Sequence, residues 1–147
     1  MSYKSYAIHC ISDVPTILFK ATKLKDTTPD VGQVLVFTEL MRNYGYGYDI
    51  NTGIFQAPVA GNYIFTVQLC PQVNIYLVYN IIVDGKADTV HSHIDRHVEV
   101  CSTSDTIVLL KAGSRVWVEM VNSGSQILED HHRSQYFAGV LINILRE

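Results

Sequence analysis

The side chains best suited to metal chemistry lie in the stretch His91-Ser92-His93-Ile94-Asp95-Arg96-His97. In an extended strand, alternate residues project to one face about 7 Å apart, so His91, His93, Asp95 and His97 would share a face. Neutral imidazoles arranged in this way are ligands for zinc, copper or nickel. The same residues also fit a solvated strand face, a hairpin whose turn breaks the register, or a pH-sensitive polar surface. The sequence leaves these alternatives open.

A second group of reactive side chains is the polar run Glu129, Asp130, His131, His132 and Arg133. Loops carried by a rigid scaffold commonly hold recognition residues. An arginine can pair a carboxylate through two parallel hydrogen bonds, and carboxylates accept hydrogen bonds from sugar hydroxyls. We therefore expect these five residues to form a ligand site for acidic sugars, the alternative being an ordinary solvated loop.

Composition narrows the class of protein. The chain has 147 residues, 48% hydrophobic and 17% charged, with a net charge of −3. These values predict one folded domain across residues 1–147 and exclude disorder. There is no Lys/Arg cluster for nucleic acid, and no apolar run approaches the roughly 20 residues of a membrane span. The N-terminal residues lack the apolar segment of a signal peptide, which fits either a cytosolic chain or a domain shown without its leader.

Catalytic motifs are also missing from the sequence. It contains no GxSxG, HExxH, P-loop or Rossmann pattern, and nothing places a nucleophile beside a base. We therefore expect a protein that is not an enzyme and that requires no cofactor.

The elements that must position these groups follow a period of two, which is typical of β-strands. Along Gly61–Leu69, the residues Tyr63, Phe65, Val67 and Leu69 share one face, and Ile64 is an apolar exception on the other. About ten short strands and no helix predict an all-β sandwich. The expected strands are Tyr6–Cys10, Thr16–Thr22, Val34–Leu40, two short pieces within Tyr48–Phe55, Gly61–Leu69, Ile75–Asp84, Lys86–Ile94, Arg96–Ser102, Asp105–Leu110, Arg115–Val121 and Tyr136–Leu145.

Two of the expected strands, Ile75–Asp84 and Tyr136–Leu145, are apolar on both faces. A two-layer sandwich buries only one face of each sheet, so surplus apolar surface indicates an interface between copies of the chain. We expect an oligomer whose interface includes the aromatic residues Tyr76, Tyr79, Tyr136 and Phe137.

The three cysteines, Cys10, Cys70 and Cys101, do not decide the redox state. They form no CxxC motif and their number is odd. One disulfide with one free thiol and three buried thiols both fit the sequence.

The centre of the sequence resembles the C1q globular head domain, a relative of the tumour necrosis factor fold. The family motif is a run of aromatic residues with one Asn or Asp and one Gly at fixed gaps. The matching positions are Phe37, Asn43, Tyr48, Phe55, Gly61, Tyr63 and Phe65, with Val67 at the last aromatic position. Further matches are Phe19-Lys20-Ala21, the segment Leu110–Val118 with Ser114 in place of Asp, and Phe137-Ala138-Gly139-Val140-Leu141, so the resemblance covers about residues 19–145.

This resemblance implies a ten-stranded jelly-roll sandwich of two antiparallel sheets, a homotrimer and secretion. Several family members bind calcium near the trimer axis, and Asp84 lies in a comparable region. Ser114 replaces the usual aspartate, and calcium needs six to eight oxygen ligands that no loop of the sequence supplies. The sequence therefore does not support calcium at Asp84, and zinc is considered only at His91, His93 and His97, without further support.

The resemblance also suggests two main functions for a head domain without a collagen-like stalk. The first is a recognition protein of the innate-immune or lectin type, which binds carbohydrate or microbial surfaces as a trimer. The second is a cytokine- or adipokine-like ligand for a protein receptor. A structural or storage protein without a specific ligand is a third alternative.

Overall fold

Short antiparallel strands make up the regular structure of the chain. The computed structural model describes residues 14–94, 101–130 and 132–145, with the backbone alone described at 89–94. Nine strands lie within these residues. They are β1 Leu18–Leu24, β2 Phe37–Tyr44, β3 Phe55–Gln56, β4 Gly61–Leu69, β5 Tyr76–Val83, β6 Lys86–Ile94, β7 Ser102–Leu110, β8 Arg115–Met120 and β9 Tyr136–Ile144.

The strands form two antiparallel sheets. One sheet has five strands in the order β2-β1-β9-β4-β7, and the other has four in the order β3-β8-β5-β6. The predicted all-β sandwich of two sheets is thus confirmed. Of the expected strands, Tyr6–Cys10 lies outside the described residues, as does most of Arg96–Ser102, whose last residue begins β7.

The core lies between the sheets and is dominated by aromatic rings. In β4, every second residue from Gly61 to Leu69 is buried, because the strand turns one face to the opposite sheet. Phe19 is at the centre, with its ring centroid 4.9 Å from those of Tyr48, Phe55 and Phe137. In β8 the buried residues are Val116 and Val118, and Trp117 between them is partly buried.

A disulfide joins Cys70 to Cys101, with a Cα–Cα distance of 4.0 Å. Leu69 at the end of β4 pairs with Ser102 at the start of β7, so the two cysteines extend this ladder by one further opposed pair. The alternative of three thiols is therefore wrong for these two cysteines, and Cys10 lies outside the described residues.

Candidate functional site

In the loop expected to bind a ligand, Glu129 to Arg133, several polar groups bond to one another. The Arg133 guanidinium forms an ion pair with the Asp130 carboxylate, with Nη1 and Oδ2 2.9 Å apart. The other Asp130 oxygen accepts the backbone N–H groups of His132 and Arg133 at 2.8 and 2.9 Å. These hydrogen bonds, led by that from His132, lower the pKa of Asp130. The Asp130 carboxylate thus already offsets the charge of Arg133, which weakens its attraction for an external anion.

Glu129 takes part in a different set of contacts. Burial raises the pKa of its carboxyl, although the backbone N–H of Leu24 and the nearby Lys23 lower it. Lys23 itself pairs with Glu39 at 3.1 Å. The Oε1 atom of Glu129 is buried without a hydrogen-bond partner in the described part of the chain. Glu129 thus lies against the end of β1, and His131 lies outside the described residues.

The structure describes only part of the proposed metal-binding segment. The backbone of His91 pairs with Tyr79 and that of His93 with Leu77, while His97 lies outside the described residues. Among the side chains that the structure describes, in residues 14–88, 101–130 and 132–145, there is no cluster of three or more potential metal ligands. Metal binding by these three histidines stays a prediction.

The position considered for calcium has a structural role. Asp84 has a φ of 50° in the hairpin between β5 and β6, and its Oδ1 accepts the backbone N–H of Arg115 at 2.8 Å. Ser114, at the position of the family aspartate, is nearly buried and its hydroxyl accepts the N–H of Lys111. The Asp84 carboxylate therefore fixes the β5–β6 hairpin against the start of β8.

The four aromatic residues expected at an oligomer interface divide into two classes. Tyr79 and Phe137 are 0% exposed, so their assignment to an interface is wrong and they belong to the core. Burial raises the pKa of Tyr79 to about 12. Tyr76 is 48% exposed, and Tyr136 lies on the outer face of the five-stranded sheet with the Lys20 ammonium 4.6 Å from its ring centroid.

The outer face of this five-stranded sheet carries a continuous apolar row. Leu18 pairs with Val140, Val140 with Ile64, and Ile64 with Ile107, so the row crosses β1, β9, β4 and β7. At about 4.8 Å between strands it is roughly 14 Å long. Leu109 and Ile142, also exposed, lie beside it. Ile64, the exception to the alternation of β4, is therefore one of its four members.

A cleft of about 530 Å³ opens at one end of the sandwich. Its walls come from the β2–β3 loop, the turn before β4 and the start of β8, and include Tyr46, Asp49, Gln56, Pro58 and Arg115. The sequence did not predict this cleft. One signal was available: Tyr46 stands between Gly45 and Gly47, an arrangement that suits a tight loop presenting an aromatic ring.

Comparisons with known proteins agree with this architecture. A model of the C1q domain family matches residues 18–142. Complement C1q tumor necrosis factor-related protein 3 of Mus musculus is 29% identical over 113 residues, which are 74% of this chain and 44% of that protein. A complement C1q subcomponent of Rattus norvegicus is 26% identical over 142 residues, which are 90% of this chain and 54% of that protein. The chain thus spans about half the length of the curated relatives it matches.

Solved structures show the same fold. The globular domain of zebrafish complement 1qA protein has a TM-score of 0.70 at 19% identity, covering 89% of this chain and 99% of that one. Eiger TNF from S. frugiperda has a TM-score of 0.63 at 12% identity, covering 90% and 96%. In the part of the chain that the structure describes, no helix has the length and apolar character needed to cross a membrane. The family match, the two-sheet jelly roll and the aromatic core together show that the chain belongs to the C1q domain family.

Proposed function

We propose that the protein is a secreted recognition protein of the lectin type, which assembles as a homotrimer and binds carbohydrate by contact rather than by catalysis. The observation that carries the assembly is the apolar row Leu18–Val140–Ile64–Ile107 on the outer face of the five-stranded sheet. Ile107 is 67% exposed and Val140 37% exposed in the single chain. Covering such side chains is worth roughly 1.5–3 kcal/mol for each one fully removed from water.

The family resemblance implies that this face is covered by neighbouring copies of the chain in a trimer. On one side the row is bordered by a mostly polar one, in which Lys20, Thr66 and Asp105 accompany the small Ala138 across the same four strands. A compact apolar patch with a polar rim is typical of a protein–protein interface. Tyr136 lies on the same outer face, and we propose that it contributes there.

The trimer supplies the avidity that weak carbohydrate sites need. Three equivalent sites on one particle convert later binding events into intramolecular ones, which raises the apparent affinity on a repetitive surface by a factor of about 10²–10⁴. Secretion is supported by the Cys70–Cys101 disulfide, because disulfides form and persist in oxidising compartments.

A second candidate function is that of a ligand for a protein receptor. The observation that favours it is a group of exposed apolar residues at the end of the sandwich opposite the cleft, Val73, Tyr76 and Val121. The Asn122 side chain joins these loops, since its Nδ2 donates to the carbonyl of Tyr76 at 2.6 Å and its Oδ1 accepts the N–H of Val78 at 2.9 Å. A rigid apolar surface of this kind suits a protein partner better than a glycan.

Sedimentation velocity and a glycan array test the first proposal together. We expect a single species of about three times 16.5 kDa that binds selected glycans. A monodisperse monomer at micromolar concentration would contradict the assembly. A trimer that binds no glycan on an array covering neutral, uronate-bearing, sialylated and sulfated sugars would contradict the lectin function and favour the second candidate.

A further inference from the structure

We propose that the cleft beside Tyr46 and Arg115 binds an acidic pyranose, that is, a sugar ring carrying one carboxylate. This inference rests on the proposed carbohydrate function and assigns it to residues other than the Glu129–Arg133 loop. The cleft volume of about 530 Å³ falls within the range of about 300–1,000 Å³ common for small-molecule sites.

The backbone around Tyr46 is the first argument. Tyr46 has a φ of 55°, a left-handed conformation that bulky residues rarely adopt. Tyr46 is nevertheless 90% exposed, so little packing within the described chain offsets this cost. A strained residue persists where the surrounding structure enforces it, and such residues concentrate at binding sites. The strain here presents a bare aromatic ring at the rim of the cleft.

The residues on either side of Tyr46 enforce this conformation. The backbone N–H of Tyr46 donates to the carbonyl of Asn43 at 3.3 Å, and Gly45 has a φ of 86°. At Gly47, an added Cβ would come 2.4 Å from the Phe55 ring and 2.9 Å from the Gln56 carbonyl. The loop therefore lies flat against β3 and accepts only glycine at this point.

The charge of Arg115 is the second argument. The ion pairs within the described residues are Lys23–Glu39 and Asp130–Arg133, so no described carboxylate neutralises the Arg115 guanidinium. The side chain is exposed at the cleft. A carboxylate is the natural partner, since it accepts two parallel hydrogen bonds from a guanidinium. Arg133, by contrast, already forms an ion pair with Asp130.

The remaining lining groups fit the rest of a sugar ring. The apolar C–H face of a pyranose packs on an aromatic ring such as Tyr46. The Gln56 amide is exposed and the Asp49 carboxylate lines the same wall, so together they supply donors and acceptors for hydroxyl groups. Asp49 also adds a negative charge, which favours a singly charged acid over a densely sulfated or phosphorylated polymer.

The test measures binding of the full chain to immobilised oligogalacturonate and sialyllactose, each beside its methyl ester, with dextran sulfate, a sulfated glycan without carboxylates, as a further arm. We expect at least one carboxylate sugar to bind more tightly than its ester, by about tenfold or more. Arg115→Gln and Tyr46→Ala should each abolish this preference or weaken binding by about tenfold. Tyr46→Phe should retain binding because the ring remains.

Lys111→Gln is the matched control, because it removes the same charge from an exposed residue that does not line the cleft. If Arg115→Gln and Tyr46→Ala bind like the parent while Arg133→Gln loses binding, the cleft assignment is wrong and the carbohydrate function stands. If binding is equal for acid and ester, or strongest for the sulfated glycan, the acidic-pyranose assignment is wrong. If no glycan binds the parent trimer, the proposed function itself fails.

Discussion

The side chain of Asn43 bonds both polar backbone atoms of Tyr48. Its Nδ2 donates to the Tyr48 carbonyl at 3.0 Å, and its Oδ1 accepts the Tyr48 N–H at 3.3 Å. The Tyr48 hydroxyl in turn donates to the Phe37 carbonyl at 2.7 Å and accepts the Phe37 N–H at 3.0 Å. Three positions of the family motif therefore form one hydrogen-bonded unit, and this unit closes the loop that carries Tyr46.

Replacing Asn43 with Ala should destabilise the fold by about 1–3 kcal/mol, because the Tyr48 N–H and carbonyl lose their partner in a partly buried site. Asn51→Ala is the control, since Asn51 is exposed in the neighbouring turn, and should change stability by less than about 0.5 kcal/mol. Urea denaturation followed by fluorescence measures both. Equal midpoints for the two variants would show that the Asn43 bonds contribute nothing.

Replacing Ile107 with Glu should convert the proposed trimer to monomer at micromolar concentration. The change puts a charge into the apolar row, where it would be buried without a partner on assembly. Val31→Glu is the control, because Val31 is 60% exposed and lies outside the row. Sedimentation velocity distinguishes the species. A trimeric Ile107→Glu protein would place the interface elsewhere.

Reduction of the disulfide should lower the free energy of unfolding by about 2–4 kcal/mol, because Cys70–Cys101 closes a long loop in the unfolded chain. The variant Cys70→Ala/Cys101→Ala should be less stable by a similar amount and should not respond to reductant. Thermal melting with and without dithiothreitol measures this. A parent melting temperature that stays unchanged after complete reduction of this bond would contradict the expectation.

Replacing Glu129 with Gln should stabilise the protein at neutral pH. Burial raises the pKa of Glu129 above the ordinary value of 4.5, so the folded state binds a proton more tightly than the unfolded state does. The parent should therefore lose stability as pH rises from 4.5 through the raised pKa, and Glu129→Gln should lack this loss. The stability difference between variant and parent should grow over that interval and then level off. A stability difference between variant and parent that does not change with pH would contradict this prediction.

The sequence predicted the strands more accurately than it predicted which side of each strand is buried. Alternation along β4 identified the buried face correctly because its two sides differ in polarity, and Ile64 was visible as an exception. In β5 and β9 both sides are apolar, so period two could not tell that Tyr79 and Phe137 point inward. Only the pairing of strands distant in sequence resolves this.

Prediction of the candidate sites from the sequence was limited in a similar way. The polarity of Glu129 to Arg133 was evident, but their mutual contacts were not, because ion pairing depends on how the loop folds back on itself. The cleft was missed since it requires segments around residues 46, 56 and 115 to meet at one end of the sandwich. The left-handed conformation of Tyr46 has no signal in its residue type.

The cleft lies at the same end of the sandwich as both ends of the described chain. Ile17 is packed beside Gly45, and the backbone N–H of Leu145 donates to the carbonyl of Ala60, close to Pro58 in the cleft wall. Rotation about a three-fold axis never turns one copy upside down relative to the others, so the proposed trimer would be a polar particle with all three clefts facing in one direction. Both ends of the described part of the chain therefore lie on the side of the particle that carries the clefts. A binding assay should therefore attach the protein through its opposite end, near Asn74 and Gly124.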